Sequence, residues 1–413
     1  MSREPLNGAE LDQRLAALLA TLRVSGRRVL LIVPDATRTM PMAQVFAAVR
    51  GSLLPRAAAL DVLIALGTHQ PMGDEALTRH LGVPVVDGQA GTTRVFNHRW
   101  DDPATFVTLG TIPGDDIAAL TGGRFHRAVP VSLNRLVLEY DHLLVCGPVF
   151  PHEVAGFSGG TKYLFPGIAG ADIIDFTHWL GAVITSAAVI GVRDTPVRAV
   201  IDRAARAVPT PFSCLCFVTT HDGVIDVFGD EPRAAWEAAA ALSAQVHIRR
   251  VPRPFRRALA VMPEMYADLW TAAKGMYKLE PVMADGGELV IYAPHITDVS
   301  YSHGPVIDEV GYHCRDYFLA QPERFAGYPG GVLAHSTHVK GLGTYDAATG
   351  VERPRVTVTL ATGIPRERCD RINLGYTDPS SIRIADWRGR EAEGVLLVDR
   401  AGETLYRLTD ASH

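Results

Sequence analysis

The densest run of chemistry-bearing residues is PVFPHEVAGFSGGTKYLFPGIAGADIIDFTHWL, which begins at Pro148 and carries His152, Lys162 and His178 around a glycine cluster. Imidazole titrates near neutral pH, so a histidine there can move protons, and a neutral imidazole is a common metal ligand. Gly156, Gly159 and Gly160, with Ser158 and Thr161, offer backbone N–H groups that can cradle a phosphate or another anion. This is not a Walker A loop, because Lys162 follows Thr161 and Tyr163 stands where the magnesium-binding hydroxyl belongs. Two upstream pieces add to the set: Asp35-Ala36-Thr37-Arg38 and Gly67-Thr68-His69. An arginine guanidinium gives a bidentate grip on a carboxylate, so Arg38 suits an acidic substrate.

The elements around these residues read as an α/β protein. Residues 8–23 carry leucine at helical spacing, RVLLIVP reads as a buried strand, MAQVFAAVRGSLL as a helix, LDVLIALG as a strand and GDEALTRHLG as a helix. DHLLVCGPV and SCLCFVTT are further strands. Continuous apolar strands between helices predict a mostly parallel sheet covered on both faces. Asp35 and Arg38 then follow one strand, His69 a second and His152 a third. Ligands of open α/β sheets bind beside the carboxyl ends of strands, so three strands deliver polar groups to one expected site.

HIRRVPRPF, at 247–255, breaks the pattern with two prolines and three arginines and reads as a solvated interdomain linker. The sequence thus predicts two α/β domains with mostly parallel sheets: residues 1–250 carrying the cofactor, and 255–413 adding substrate contacts. The active site is expected in the interdomain cleft. In the second domain RALAVMP and GELVIYAP are strands, with a helical stretch over 266–280 between them.

At 413 residues, 47% hydrophobic and 21% charged, with a net charge of −5, the chain has globular composition. No dense Lys/Arg run marks a nucleic-acid partner. Phe176–Val192 falls short of a membrane span. The N-terminal MSREPLNGAELDQRL lacks the apolar core of a secretion signal, and the five cysteines form no C-x-x-C pair. Cytoplasm is the expected compartment.

The pattern P-H-x-x-x-G-x-S-G-G-x-K, then P-G and a histidine, resembles the lactate racemase family. Here it is Pro151, His152, Gly156, Ser158, Gly159, Gly160, Lys162, Pro166, Gly167 and His178. The D-A-T-R and G-T-H pieces agree in type and order, so the resemblance is strong over residues 30–180. It implies a nickel-pincer nucleotide cofactor (pyridinium-3,5-bisthiocarboxylic acid mononucleotide) joined to Lys162 by a thioamide, with His178 as the nickel ligand. His69 and His152 would be the acid/base pair, Asp35 and Arg38 would lie in the cofactor and substrate pocket, and the Ser158-Gly159-Gly160 turn would serve the cofactor phosphate. Lys274 matches a family lysine that contacts substrate. Trp270 and Thr271 stand where the lactate enzymes have tyrosine and glutamine, which points away from lactate itself. Enzymes that assemble the cofactor are the implied transient partners.

The residue types suit that chemistry. A carbinol hydrogen beside a carboxylate is too weakly acidic for an imidazole base near pH 7. Removing it as hydride avoids a carbanion but needs an electron-poor acceptor, which a cofactor supplies. Hydride returned to the other face of the planar ketone inverts the centre, and one base on each side serves the hydroxyl proton. The expected function is racemisation or epimerisation of a small 2-hydroxy acid. His295, His303, His313, His335 and His338, with Tyr301, Arg315 and Lys340, form a polar region that suits a sugar acid. His335 and His338, spaced i,i+3, have no third ligand of recognised spacing. Two alternatives remain open at this point: a metal-dependent lyase or hydrolase built on the histidines without the pincer cofactor, and a non-enzymatic nucleotide or metal carrier.

Overall fold

The computed structural model describes residues 4–409. The inner strands form where the sequence is richest in apolar residues. Arg28–Pro34 (β1), Ala59–Ala65 (β2), Gln89–Ala90 (β3), Thr93–Asn97 (β4), His142–Pro148 (β5), Phe212–Thr220 (β6) and Gly223–Asp230 (β7) make one seven-stranded sheet, in the order β7-β6-β5-β1-β2-β4-β3. The pairs β1–β2, β1–β5, β2–β4 and β5–β6 are parallel, and only the edge pairs β6–β7 and β3–β4 run antiparallel. After its exposed first residue β1 is buried throughout, as a strand covered on both faces must be.

The flanking helices have their own local causes. Helix α1 (Gly8–Thr21) opens on a capping box in which Asn7 and Glu10 exchange side-chain and backbone hydrogen bonds, and it buries Leu11, Leu15 and Leu19. Helices α2 (Met42–Leu53) and α3 (Asp74–Leu81) follow β1 and β2, and α3 ends at Gly82 in the left-handed conformation. Their apolar faces join Val29, Leu31, Val62 and Ile64 in one core.

A second sheet holds Phe255–Val261 (β8), Met283–Ala293 (β9), Val356–Thr362 (β10), Gly375–Tyr376 (β11) and Val395–Val398 (β12), in the order β11-β10-β9-β8-β12. Every pairing in it is parallel. Its core includes Leu289, Ile291, Val358 and Leu360.

The chain divides into two compact units. One comprises residues 1–150, 157–174 and 193–246; the other comprises 151–156, 175–192 and 247–413. Asp35, Arg38, His69 and Lys162 therefore belong to the first unit. His152 belongs to the second, as does His178 on the helix Ala171–Ile184 (α4). Local packing accounts for this: Trp179 meets Phe318 edge to face, and Gly181 lies against Val154, all within the second unit.

Two expectations change. The linker reading of HIRRVPRPF gives way to a short strand, Ile248–Val251, paired in parallel with Leu405–Leu408. Val251 is buried while Arg249 and Arg250 face water, so the arginines do not prevent strand formation. The helical stretch at 266–280 is two single turns, Leu269–Ala272 and Lys274–Tyr277, the first of them capped by Asp268.

Candidate active site

In the first unit the site is built on the end of β1. Asp35 is buried and accepts at Oδ1 from the Thr37 amide (3.1 Å) and the Thr37 hydroxyl (2.6 Å). Its Oδ2 is 2.5 Å from His69 Nδ1. Burial by itself would raise this carboxyl, but His69, Arg38 and Thr37 outweigh it and hold Asp35 well below the usual carboxylate range. An ionised carboxylate only accepts, so His69 carries a hydrogen on Nδ1, and in its neutral form the lone pair is on Nε2. That is the form of a ready base.

Arg38 donates from Nη1 to Thr37 Oγ1 at 2.8 Å, and its guanidinium lies 5.7 Å from the centre of the Phe150 ring. His69 is placed by a turn after β2. Gly67 adopts a φ of 58° and donates to the Gly167 carbonyl at 2.9 Å, while Trp100 Nε1 donates to the His69 carbonyl at 2.9 Å. His80 Nε2 meets the Pro34 carbonyl at 2.9 Å and fixes the strand end from the other side. Trp100 and His80 were not among the expected residues, since neither belongs to a motif.

Lys162 is half-buried on the 3₁₀ turn Gly160–Tyr163. Ser158 is fully engaged inside this loop: its hydroxyl donates to Pro148 O (2.9 Å) and accepts from Phe150 N–H (3.0 Å). Gly159, at φ 77°, is required by close approach, because a Cβ there would lie 2.4 Å from Val149 Cγ2. Beneath the turn Arg198 is buried against the Trp236 ring at 4.1 Å and donates to Thr161 Oγ1 and Phe157 O. Burial lowers its guanidinium to about 10. Beside Lys162 the phenol oxygen of Tyr163 is buried with no hydrogen-bond partner. Burial raises its pKa, with Arg38 and Asp35 among the charges that act on it. The sequence offered no signal for that orphan.

In the second unit His152 is buried and accepts at Nδ1 from the Val154 amide, 3.1 Å away. The Glu153 carboxylate is 3.4 Å from the same nitrogen. Lys278, 1% exposed, donates to Pro151 O at 2.6 Å and to Glu403 O at 3.0 Å, which fixes the backbone just before His152. His178 is half-buried on α4. His338, on the helix Gly330–Lys340 (α5), is pushed down to about 4 by burial, with Glu153 raising it and His178 lowering it further. Its Nε2 is buried without a partner.

Of the expected substrate contacts, Thr271 donates to Asp268 Oδ1 at 2.7 Å and Lys274 Nζ to Thr271 O at 3.0 Å. Trp270 stacks on His335 at 4.0 Å and meets His303 at 4.5 Å. His335 Nε2 is 3.1 Å from Trp270 O, and burial lowers its imidazole to about 3. His295 bonds the Tyr266 carbonyl and His313 pairs with Glu352, so both hold their own surroundings together.

The described residues contain no group of three or more His, Cys, Asp or Glu side chains that could hold a metal ion. A metal here would need most of its ligands from a cofactor, which fits a group that brings its own donor atoms and takes one imidazole.

Residues 11–191 match the lactate racemase N-terminal domain. A lactate racemase of Thermoanaerobacterium thermosaccharolyticum is 23% identical over 279 residues, which are 67% of this chain and 62% of that protein. The matched part thus spans under two thirds of that relative. A crystal structure of a protein from Thermotoga maritima superposes with a TM-score of 0.90 at 34% identity, covering 99% of this chain and 100% of that one. The lactate racemase apoprotein of T. thermosaccharolyticum shares the fold, with a TM-score of 0.71 at 16% identity over 98% of this chain and 94% of its own. With its motifs in family order, the chain carries the lactate racemase N-terminal domain over residues 11–191, and its whole length shares the fold of the lactate racemase apoprotein.

Proposed function

We propose that this protein is an isomerase, a racemase or epimerase that inverts the hydroxyl-bearing α-carbon of a small 2-hydroxy acid with a nickel-pincer nucleotide. The observation that carries the reading is the Asp35–His69 pair, a base with its proton already placed, beside Arg38 and in the same unit as Lys162. Lys162 would hold the cofactor through a thioamide, and His178 would ligate nickel. When bound, the cofactor supplies the hydride acceptor that no side chain provides.

The chain's own groups do the rest. Arg38 grips the substrate carboxylate, and Lys274 adds a second cation. His69 takes the hydroxyl proton at Nε2 while Asp35 stabilises the resulting imidazolium. His152 serves the opposite face. Ser158, Gly159 and Gly160 shape the loop that presents Lys162, since the Ser158 hydroxyl is committed within it. Thr271 braces the Asp268 cap of its turn, and Trp270 acts as a wall braced by His335.

We read the substrate as a hydroxy acid with further hydroxyl groups, such as a sugar acid, because Trp270, one of the positions that differ from the lactate enzymes, stacks on buried His335 and meets half-buried His303. The metal-only lyase or hydrolase finds no support among the described residues, which offer no three-ligand group. Cofactor-assembly enzymes are the proposed transient partners and the cytoplasm the proposed location. Among the described residues no helix is long and apolar enough to cross a membrane.

Protein loaded in cells with the cofactor-building enzymes should interconvert the two configurations of its acid, followed by chiral chromatography over a panel of lactate, malate, aromatic acids and aldonates. Turnover of an aldonate ahead of lactate supports the substrate reading; lactate turned over fastest overturns it.

A further inference from the structure

We infer that Glu153 is a positioning residue that puts His152 into its proton-transferring state. The inference rests on the reading of His152 as half of the acid/base pair, and it comes from two contacts that compete for one nitrogen.

His152 Nδ1 accepts from the Val154 amide at 3.1 Å, with the Glu153 carboxylate 3.4 Å away on the same atom. A nitrogen that accepts a hydrogen bond carries no hydrogen. The neutral ring seen here therefore has its hydrogen on Nε2. In that state it transfers nothing. Nε2 has no lone pair to take a hydroxyl proton, and giving up its own hydrogen would leave an imidazolate. Acting as base requires the hydrogen on Nδ1 and a lone pair on Nε2. Acting as acid requires an imidazolium with hydrogen on both. Each productive state therefore needs Nδ1–H, and Nδ1–H opposes the Val154 N–H.

Glu153 is the acceptor placed to receive it. When Nδ1 is protonated, a small rotation of the ring exchanges the Val154 contact for the Glu153 carboxylate. The substrate O–H bond then breaks as the Nε2–H bond forms, and the positive ring faces a negative charge. No electrons change hands in this step. The backbone is held still meanwhile, because Lys278 fixes the Pro151 carbonyl. His69 needs no such exchange, since the Asp35 carboxylate already lies 2.5 Å from its Nδ1 and accepts from it.

The test has two arms on the full chain. In the first, cofactor-free protein carrying ¹⁵N-histidine is compared with Glu153→Gln and Glu153→Ala, the His152 ring signals being assigned by their loss in His152→Gln. The wild type should show a population with hydrogen on Nδ1 that shrinks in Gln and vanishes in Ala. Identical ring nitrogens in all three would overturn the inference, and the dispersion of the same spectra reports whether each variant is folded. In the second, loaded enzyme should lose about 10- to 100-fold in kcat in Glu153→Gln with KM within about twofold and nickel content unchanged, the size usual for a residue that orients a reacting group. A kcat within about twofold of wild type would overturn it. If the wild type inverts no acid at all, the functional reading fails while the first arm still decides what Glu153 does.

Discussion

His69 and His152 are expected to do the same job, yet the protein prepares them differently. In the first unit a buried, ionised Asp35 holds His69 Nδ1, and Thr37 and Arg38 keep that carboxylate charged. In the second unit a backbone amide occupies His152 Nδ1, with Glu153 standing by. One Nδ1 faces a carboxylate that can only accept. The other faces a backbone N–H that can only donate. The difference shows that imidazole identity alone does not fix a catalytic role; the partner of the distal nitrogen does.

The comparison can be broken most severely at Asp35. Asp35→Asn removes the acceptor-only partner and lets the amide hold the wrong tautomer of His69, so kcat should fall about 10²- to 10⁴-fold, the span typical of a general base. Steady-state rates with loaded enzyme check this. The same variant tests the electrostatics. Asp35 has a folded pKa below its unfolded value, so its stabilising contribution is present above about pH 4 and is lost as pH falls further. Melting temperature should therefore drop less between about pH 5 and pH 3 in Asp35→Asn than in wild type. Parallel curves would show that the carboxylate is not held as described.

Smaller effects sharpen the contrast. Gly159→Ala forces a left-handed φ on alanine and drives its Cβ into Val149, costing about 1–3 kcal/mol by denaturant titration and reducing cofactor loading at Lys162. Lys278→Met leaves the Pro151 and Glu403 carbonyls without their donor and should cost about 1–3 kcal/mol, while leaving the His69 ring signals untouched. Tyr163→Phe removes an oxygen that has no partner, so the cofactor-free chain should melt at the wild-type temperature or slightly above. A clear loss of stability there would mean that the phenol already has a partner.

Much of this was legible in the sequence for a physical reason. Strands buried on both faces must be continuously apolar, and RVLLIVP coincides with β1 residue for residue. Asp35, Arg38 and His69 follow strand ends, and Ser158, Gly159, Gly160 and Lys162 share one glycine-rich loop, so local pattern could single them out. What escaped depends on contacts distant in sequence. Nothing local says that Asp35 meets His69 across 34 residues, that Arg198 supports the Lys162 turn from 37 residues away, or that Pro151–Gly156 packs with the C-terminal residues. The arginines of HIRRVPRPF read as linker because the partner strand lies some 150 residues onward. The state of His152 was likewise hidden, because it turns on a backbone amide.

The cofactor assignment is tested most directly by intact-protein mass spectrometry with nickel analysis, on protein co-expressed with the cofactor-building enzymes, beside Lys162→Ala. The account predicts a covalent adduct with about one nickel per chain in the wild type, both lost in the variant, since the site can orient only one cofactor. An unmodified wild-type chain, from cells in which a known lactate racemase is loaded, would contradict it.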